Sequence, residues 1–236
     1  MTNIKNEFWN ANNAFEYFYK TISKHGIKFA DTRTMFNVGF TILKPEVRAI
    51  VDSKRKWNHE YAEAEWQWYL SGDKSIFKLG DIYGKIPPIW SRMADPEGNV
   101  NSNYGYQWQR MADDDGNVNS NYGWQWKRGD QINKVIDILK NYRETRQATI
   151  SIYDGKEMYK YKYDTPCTYA IQFTIIDGLL CMSVYMRSND LWFGFCNDQY
   201  QFSKLQELIC KETGLDMGTY YHFAHNLHIY SDKLGL

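Results

Sequence analysis

Net charge is what this sequence lacks most plainly. Its 28 lysines and arginines are matched by 28 aspartates and glutamates. A chain with no net field does not draw in nucleic acid or an anionic membrane by long-range attraction, so neither is expected as a partner. Long apolar runs are absent too: no stretch approaches the ~20 residues needed to span a bilayer. The opening Met-Thr-Asn-Ile-Lys-Asn does not have the charged-then-apolar pattern of a signal peptide. Cysteine is scarce. Cys167, Cys181, Cys196 and Cys210 form no CxxC pair and no metal-like spacing with histidine. That argues against a disulfide framework and a metal site, and for a reduced, cytoplasmic setting (a host's cytoplasm if the gene is a phage's).

Aromatic residues are abundant instead, at 17% of the chain. They suit a packed core with a stacking site. The length suits one domain of ordinary size, taken as residues 1–236. The most informative stretch is 163–195. Residues 168–176 are rich in β-branched and aromatic side chains, and 179–186 run back after Asp177-Gly178. Asp-Gly is preferred in a two-residue type I′ turn, because both central residues need positive φ. A hairpin therefore sets Cys167 at the start of one strand and Arg187-Ser188 at the end of the other. The ends of a hairpin lie side by side, which brings a thiol near a guanidinium and a hydroxyl. A neighbouring cation favours the thiolate, and the planar fork of an arginine suits a phosphate.

The remaining elements are read from periodicity. Residues 8–22 have helical spacing from Phe8 to Ile22, stopped by Gly26. Asp31-Thr32-Arg33-Thr34 reads as a polar loop before a strand at 40–43. Residues 54–70 read as a helix with Gly72 near its end, placing Tyr61, Ala64, Glu65 and Trp68 on one face. Ile132, Val135, Ile136 and Leu139 form one stripe of a helix over 131–142. A strand is expected at 148–153. Asp198 is a candidate N-cap for a helix ended by Gly214. Between Trp90 and the 131–142 helix lies an 18-residue tandem duplication: residues 92–109 recur at 110–127 with four differences. Two copies are too few for a solenoid. His222, His225 and His228 invite a three-histidine metal reading, but no metal is expected.

Pro166-Cys167-Thr168 with Ile171-Gln172-Phe173, followed by Arg187-Ser188-Asn189-Asp190, resembles the thymidylate synthase superfamily, which includes the pyrimidine nucleotide hydroxymethylases. The resemblance extends from about Arg33 to Tyr230. It implies an α/β fold with a mixed sheet flanked by helices, a homodimer formed through the sheet, a pyrimidine nucleoside monophosphate as substrate, and 5,10-methylenetetrahydrofolate as co-substrate. Residue by residue, it implies Cys167 as nucleophile and Glu65, in Glu65-Trp66-Gln67-Trp68-Tyr69-Leu70-Ser71-Gly72-Asp73, as acid/base. The active-site tyrosine falls on Tyr104 or Tyr122. Spacing from Trp90 favours the first, and proximity to the next helix favours the second, which is preferred. Arg187, Ser188, Arg146 and Arg33 match phosphate contacts, with Gln147 departing from the pattern. His228 and Tyr230 match sugar contacts, and Asp190 and Trp90 match contacts to the folate.

Asp198 stands where thymidylate synthases carry asparagine. A carboxyl accepts from the C4 amino group of cytosine and, when protonated, donates to N3. The resemblance to deoxycytidylate hydroxymethylases therefore implies a cytosine nucleotide, unless Asp198 is only a helix cap. The sequence stops at Leu236, and without a tail to close over the folate, water is expected to reach the reacting carbon. Three readings follow: dCMP hydroxymethylation, thymidylate synthesis, and a nucleotide-binding relative disabled by the duplication.

Overall fold

An Asp-Gly turn sets the geometry of the expected hairpin. The computed structural model describes residues 5–73, 75–100, 131–153, 155 and 165–235. In it β5 (Thr168–Ile176) and β6 (Leu179–Met186) begin and end where the sequence pattern puts them. Asp177 and Gly178 have φ of +52° and +80°, the pair of left-handed residues that a type I′ turn needs. The chain divides into two compact units, Met1–Asn58 with Gln172–Leu236, and His59–Ile171.

The first unit is an open mixed sheet with helices against it. Its long antiparallel pair is β3 (Thr32–Ile42) with β8 (Asp216–Tyr230), in register from Thr32 opposite Tyr230 to Ile42 opposite Tyr220. β1 (Glu7–Phe8) lies parallel to β3, and β6 runs parallel to β8. β2 (Ile27–Phe29) pairs with β3, and β7 (Asn189–Asp190) with β8. Residues Gly218, Tyr220, His222 and Ala224 of β8 point into the core, while Met217, Thr219, Tyr221 and Phe223 are half-exposed. This is the period-two alternation of a strand with one buried face. α1 (Ala11–His25) buries Ala14, Phe15, Phe18 and Ile22. Asn10 caps it by accepting from the Asn13 N–H at 3.0 Å. At Gly26 the backbone turns extended and the helix ends, its N–H meeting the Ile22 carbonyl so closely that a Cβ would stand 2.5 Å from that oxygen.

Three expectations change here. Phe8 is not helical: it pairs with Ile42, and its ring packs 5.7 Å from Phe40. The strand expected at 40–43 is the end of a longer one, β3. Arg33 therefore lies on a strand opposite Lys28 rather than in a loop, and its Nη1 donates to the Gly26 carbonyl at 2.9 Å.

The second unit contains α2 (His59–Ser71), α3 (Ile76–Tyr83), α4 (Pro88–Met93), α5 (Gln131–Asn141), β4 (Thr149–Ser151) and the first residues of β5. Ile132, Val135, Ile136 and Leu139 of α5 are all buried, as their spacing implies. The Gln131 amide clamps β4, accepting from the Ser151 N–H at 2.8 Å and donating to its carbonyl at 3.2 Å. β4 is shorter than the expected 148–153, although the Ile152 N–H still reaches the Tyr169 carbonyl at 2.9 Å. α2 starts at His59, five residues later than expected. The Asp52 carboxylate takes the N–H groups of Lys54 and Arg55, and Lys56 has φ of +47°, so residues 52–58 cannot join the helix. Among the described residues no helix is long and apolar enough to cross a membrane.

Candidate active site

In the second unit, Tyr61 and Glu65 sit one turn apart on α2, so their side chains meet. Glu65 is only 3% exposed. The Tyr61 hydroxyl donates to Glu65 Oε1 at 2.7 Å, and the Trp90 indole N–H donates to the Tyr61 oxygen at 2.7 Å. An indole can only donate, so the Tyr61 oxygen accepts from Trp90 and its own proton is left to donate to the Glu65 carboxylate. Trp90 also packs edge-on against Trp68, with ring centroids 5.3 Å apart. The structure thus brings Glu65, Tyr61 and Trp90 into one network. The expected face of Tyr61, Glu65 and Trp68 is present, but the bridging role of Tyr61 was not read from the sequence. Its i, i+4 spacing from Glu65 was the available signal.

Cys167 is half-buried, one residue before β5, and its thiol is in no disulfide. Arg146 is exposed on a shallow depression lined by Tyr142, Glu144, Thr145, Arg146 and Gln147. Tyr104 and Tyr122, with most of the duplication, lie outside the described residues.

In the first unit, Arg187 is exposed just past β6 and Ser188 is half-buried. Asp190 caps a π-helical turn at Leu191–Phe195, accepting from the N–H groups of Trp192 at 3.0 Å and Phe193 at 3.1 Å. It pairs with His228 across β7 and β8. Burial pushes the Asp190 carboxyl up, against the pull of its backbone donors and of His228. Burial likewise pushes His228 down, partly offset by Asp190. His228 donates from Nδ1 to Asn226 Oδ1 at 3.0 Å, and its ring meets that of Tyr230 edge-on at 5.3 Å.

Asp198 is not an N-cap. It lies within the first turn of α6 (Cys196–Thr213), the crossover helix between β6 and β8, whose N-cap position is Phe195 with no side-chain cap. The chain turns helical earlier than expected because the π-helical turn feeds directly into α6. The Asp198 carboxylate instead accepts from Asn189 Nδ2 at 2.7 Å. Asn189 is 2% exposed, and its Oδ1 lies 3.1 Å from His222 Nε2. The Tyr220 hydroxyl lies 2.8 Å from His222 Nδ1. None of these three partners was read from the sequence. The strap at 52–58 steadies the same region: Arg55 donates to the Trp192 carbonyl, and the Trp57 indole donates to Asn197 Oδ1 at 2.9 Å.

The three histidines of β8 have separate tasks. His222 is buried in this chain of bonds, His225 meets Asn37 Oδ1 at 2.8 Å, and His228 serves Asn226. Among the described residues, no group of three or more His, Cys, Asp or Glu is placed to share a metal ion. Burial lowers the His222 pKa to about 3, whereas an unfolded histidine titrates near 6.5. Between these values the unfolded chain binds more protons than the folded one, so stability rises with pH across that window. Stability is expected to fall by up to about 1.4 kcal/mol per pH unit below pH ~6.5. Urea unfolding over a pH series checks this, and His222→Phe should flatten that limb.

Residues 14–235 match the family model described as thymidylate synthase. The chain is also 29% identical over 170 residues to a curated thymidylate synthase of Corynebacterium aurimucosum, covering 72% of this chain and 58% of that relative. The match thus spans somewhat over half of the relative's length.

Proposed function

The chain belongs to the thymidylate synthase family, and on that premise we propose that it transfers one carbon from 5,10-methylenetetrahydrofolate to C5 of a pyrimidine nucleotide, with dCMP as substrate and 5-hydroxymethyl-dCMP as product. The observation that carries the choice of base is the carboxylate of Asp198, where the family's thymidylate synthases present an amide. Asn189 holds it by one oxygen in the first turn of α6. A carboxyl matches the amino donor and ring acceptor of cytosine, and a site built for one hydrogen-bond pattern rejects the other strongly.

The roles follow from the chemistry. Cys167 Sγ bonds to C6 of the base, which makes C5 nucleophilic. C5 bonds to the methylene carbon as the first of that carbon's two bonds to folate nitrogen breaks; loss of the C5 proton then breaks the second, releasing tetrahydrofolate and leaving an exocyclic methylene. Water then adds to that carbon, and the thiolate is expelled from C6. Glu65 moves the protons, held in place by the hydroxyl of Tyr61. Arg187, Ser188 and Arg146 hold the 5′-phosphate, and His228 and Tyr230 the sugar. Asp190 and Trp90 face the folate in this reading, and one of Tyr104 and Tyr122 completes the proton network. Arg33 is a further proposed phosphate contact: one N–H of its Nη1 donates to the Gly26 carbonyl, and a guanidinium carries five. The protein works as a homodimer packed sheet to sheet. In support, Tyr185, Tyr221 and Phe223 are half-exposed on one sheet face, Tyr185 lying 6.4 Å and 6.3 Å from the other two rings.

The test is incubation with methylenetetrahydrofolate and either dCMP or dUMP, with products read by mass spectrometry. Hydroxymethyl-dCMP with tetrahydrofolate is expected. Formation of dTMP with dihydrofolate would establish the second reading, thymidylate synthesis, which the Corynebacterium relative favours. Asp198→Ala removes both hydrogen bonds to the base at ~2 kcal/mol each. It is expected to lower kcat/KM for dCMP about 10³-fold and to leave dUMP almost unaffected.

A further inference from the structure

The hydrogen bonds that lead from the core to Asp198 run in one direction, which the Asn189 amide facing the carboxylate shows. We infer that Asn189, with His222 and Tyr220 behind it, is a positioning residue that dictates which oxygen of Asp198 acts as acceptor and which carries a proton, and so decides between cytosine and uracil. This rests on the reading of Asp198 as the group that meets the base.

The chain of bonds starts at Tyr220, which is fully buried and keeps its phenolic proton. Asn189 Nδ2 meets the Asp198 carboxylate, so its Oδ1 faces His222 Nε2 and accepts from it at 3.1 Å. A neutral imidazole has one donor and one acceptor nitrogen. Nδ1 is then the acceptor, and the Tyr220 hydroxyl donates to it at 2.8 Å. Nδ2 donates to Asp198 Oδ2 at 2.7 Å. Every member is uncharged up to the carboxylate, which is the form that burial favours.

Reversing the chain would require the amide to turn over, the imidazole to change tautomer and Oδ2 to take a proton. The site is too close for that to happen freely. Asn189 is 2% exposed, and a Cβ on Gly194 would stand 3.0 Å from Asn189 Nδ2 and 3.3 Å from Asp198 Oδ2. The glycine backbone therefore lies against the bonded pair. With the chain fixed, Oδ2 only accepts. It has lone pairs for both Asn189 and the C4 amino group of cytosine, and the proton for N3 sits on Oδ1. Uracil needs a donor at O4 and an acceptor at N3, a pattern Asp198 offers only with a proton on Oδ2. The Asn189 N–H opposes that protonation.

The experiment measures kcat/KM for dCMP and dUMP in the wild type, Asn189→Leu and Tyr220→Phe, with thermal unfolding alongside. In Asn189→Leu the dCMP-to-dUMP ratio is expected to fall at least tenfold, because no amide N–H then opposes a proton on Oδ2. In Tyr220→Phe, which removes one hydroxyl at the far end, the ratio should fall severalfold. That variant keeps the test decisive if Asn189→Leu does not fold. An equal fall on both nucleotides, with the ratio unchanged, would show a purely structural role and overturn the inference. A wild type that prefers dUMP, or prefers neither, would instead overturn the reading of Asp198.

Discussion

Replacing Cys167 with alanine is expected to lower turnover by ~10⁴-fold or more, since a covalent catalyst that loses its nucleophile keeps only the contribution of binding. The residue stands one position before β5, after a buried proline, in a backbone set by the hairpin below it. Its thiol is in no disulfide, so nothing in the covalent structure is broken by the change. The fold should therefore survive, and nucleotide should still bind. Mass spectrometry with a 5-fluoro nucleotide gives the sharper readout. Its C5 has no proton to surrender, so the wild type should be trapped as a covalent adduct with nucleotide and folate, while the alanine variant should gain no mass. An adduct on Cys181, Cys196 or Cys210 instead would remove Cys167 from the mechanism.

Glu65→Gln should lower kcat by ~10²–10⁴-fold, the usual worth of a positioned acid or base. The substitution is a clean one here. The amide oxygen of the introduced glutamine can still accept from the Tyr61 hydroxyl, so the Trp90–Tyr61 chain keeps its shape while the group that exchanges protons is gone. KM should change little. Tyr61→Phe should cost less, about tenfold, because it removes one hydrogen bond to the carboxylate without removing the carboxylate. If the glutamine variant turns over normally, proton transfer belongs elsewhere, and Glu65 is a buried carboxylate satisfied by its tyrosine.

What could be read from the sequence was local. Asp177-Gly178 specified a turn by its own backbone preferences, and the hairpin followed to the residue. The stripe of Ile132, Val135, Ile136 and Leu139 specified a helix in the same way. The misreadings came where a side chain competes with the backbone. Residues 52–58 have helical composition, yet the Asp52 carboxylate captures two of the N–H groups that a helix would need. Arg33 looked like a loop residue because its strand partners, Lys28 and Ile229, are set by pairing across the sheet. The candidate site divides along the same line. Glu65 could be singled out by resemblance, but Asn189 lies on β7 and His222 and Tyr220 on β8, and no spacing announces that the first joins the other two. Asp198 reads as a candidate helix cap, and it lies instead within the first turn of α6 because the π-helical turn before it makes the chain helical earlier.

The pairing of β3 with β8 bears on how the protein is made. Thr32 lies opposite Tyr230, so strands from opposite ends of the chain form the spine of the first unit. Their union must close a loop through most of the sequence, and such non-local pairing slows folding. On the ribosome, β1, α1 and β3 emerge with their partner strand not yet synthesised. The segment His59–Ile171, contiguous in sequence, is free to condense first. Until β8 arrives, the apolar face of α1 and an unpaired edge of β3 stay open to other chains. A nascent chain of this kind depends on β8, and on whatever shields it during the wait.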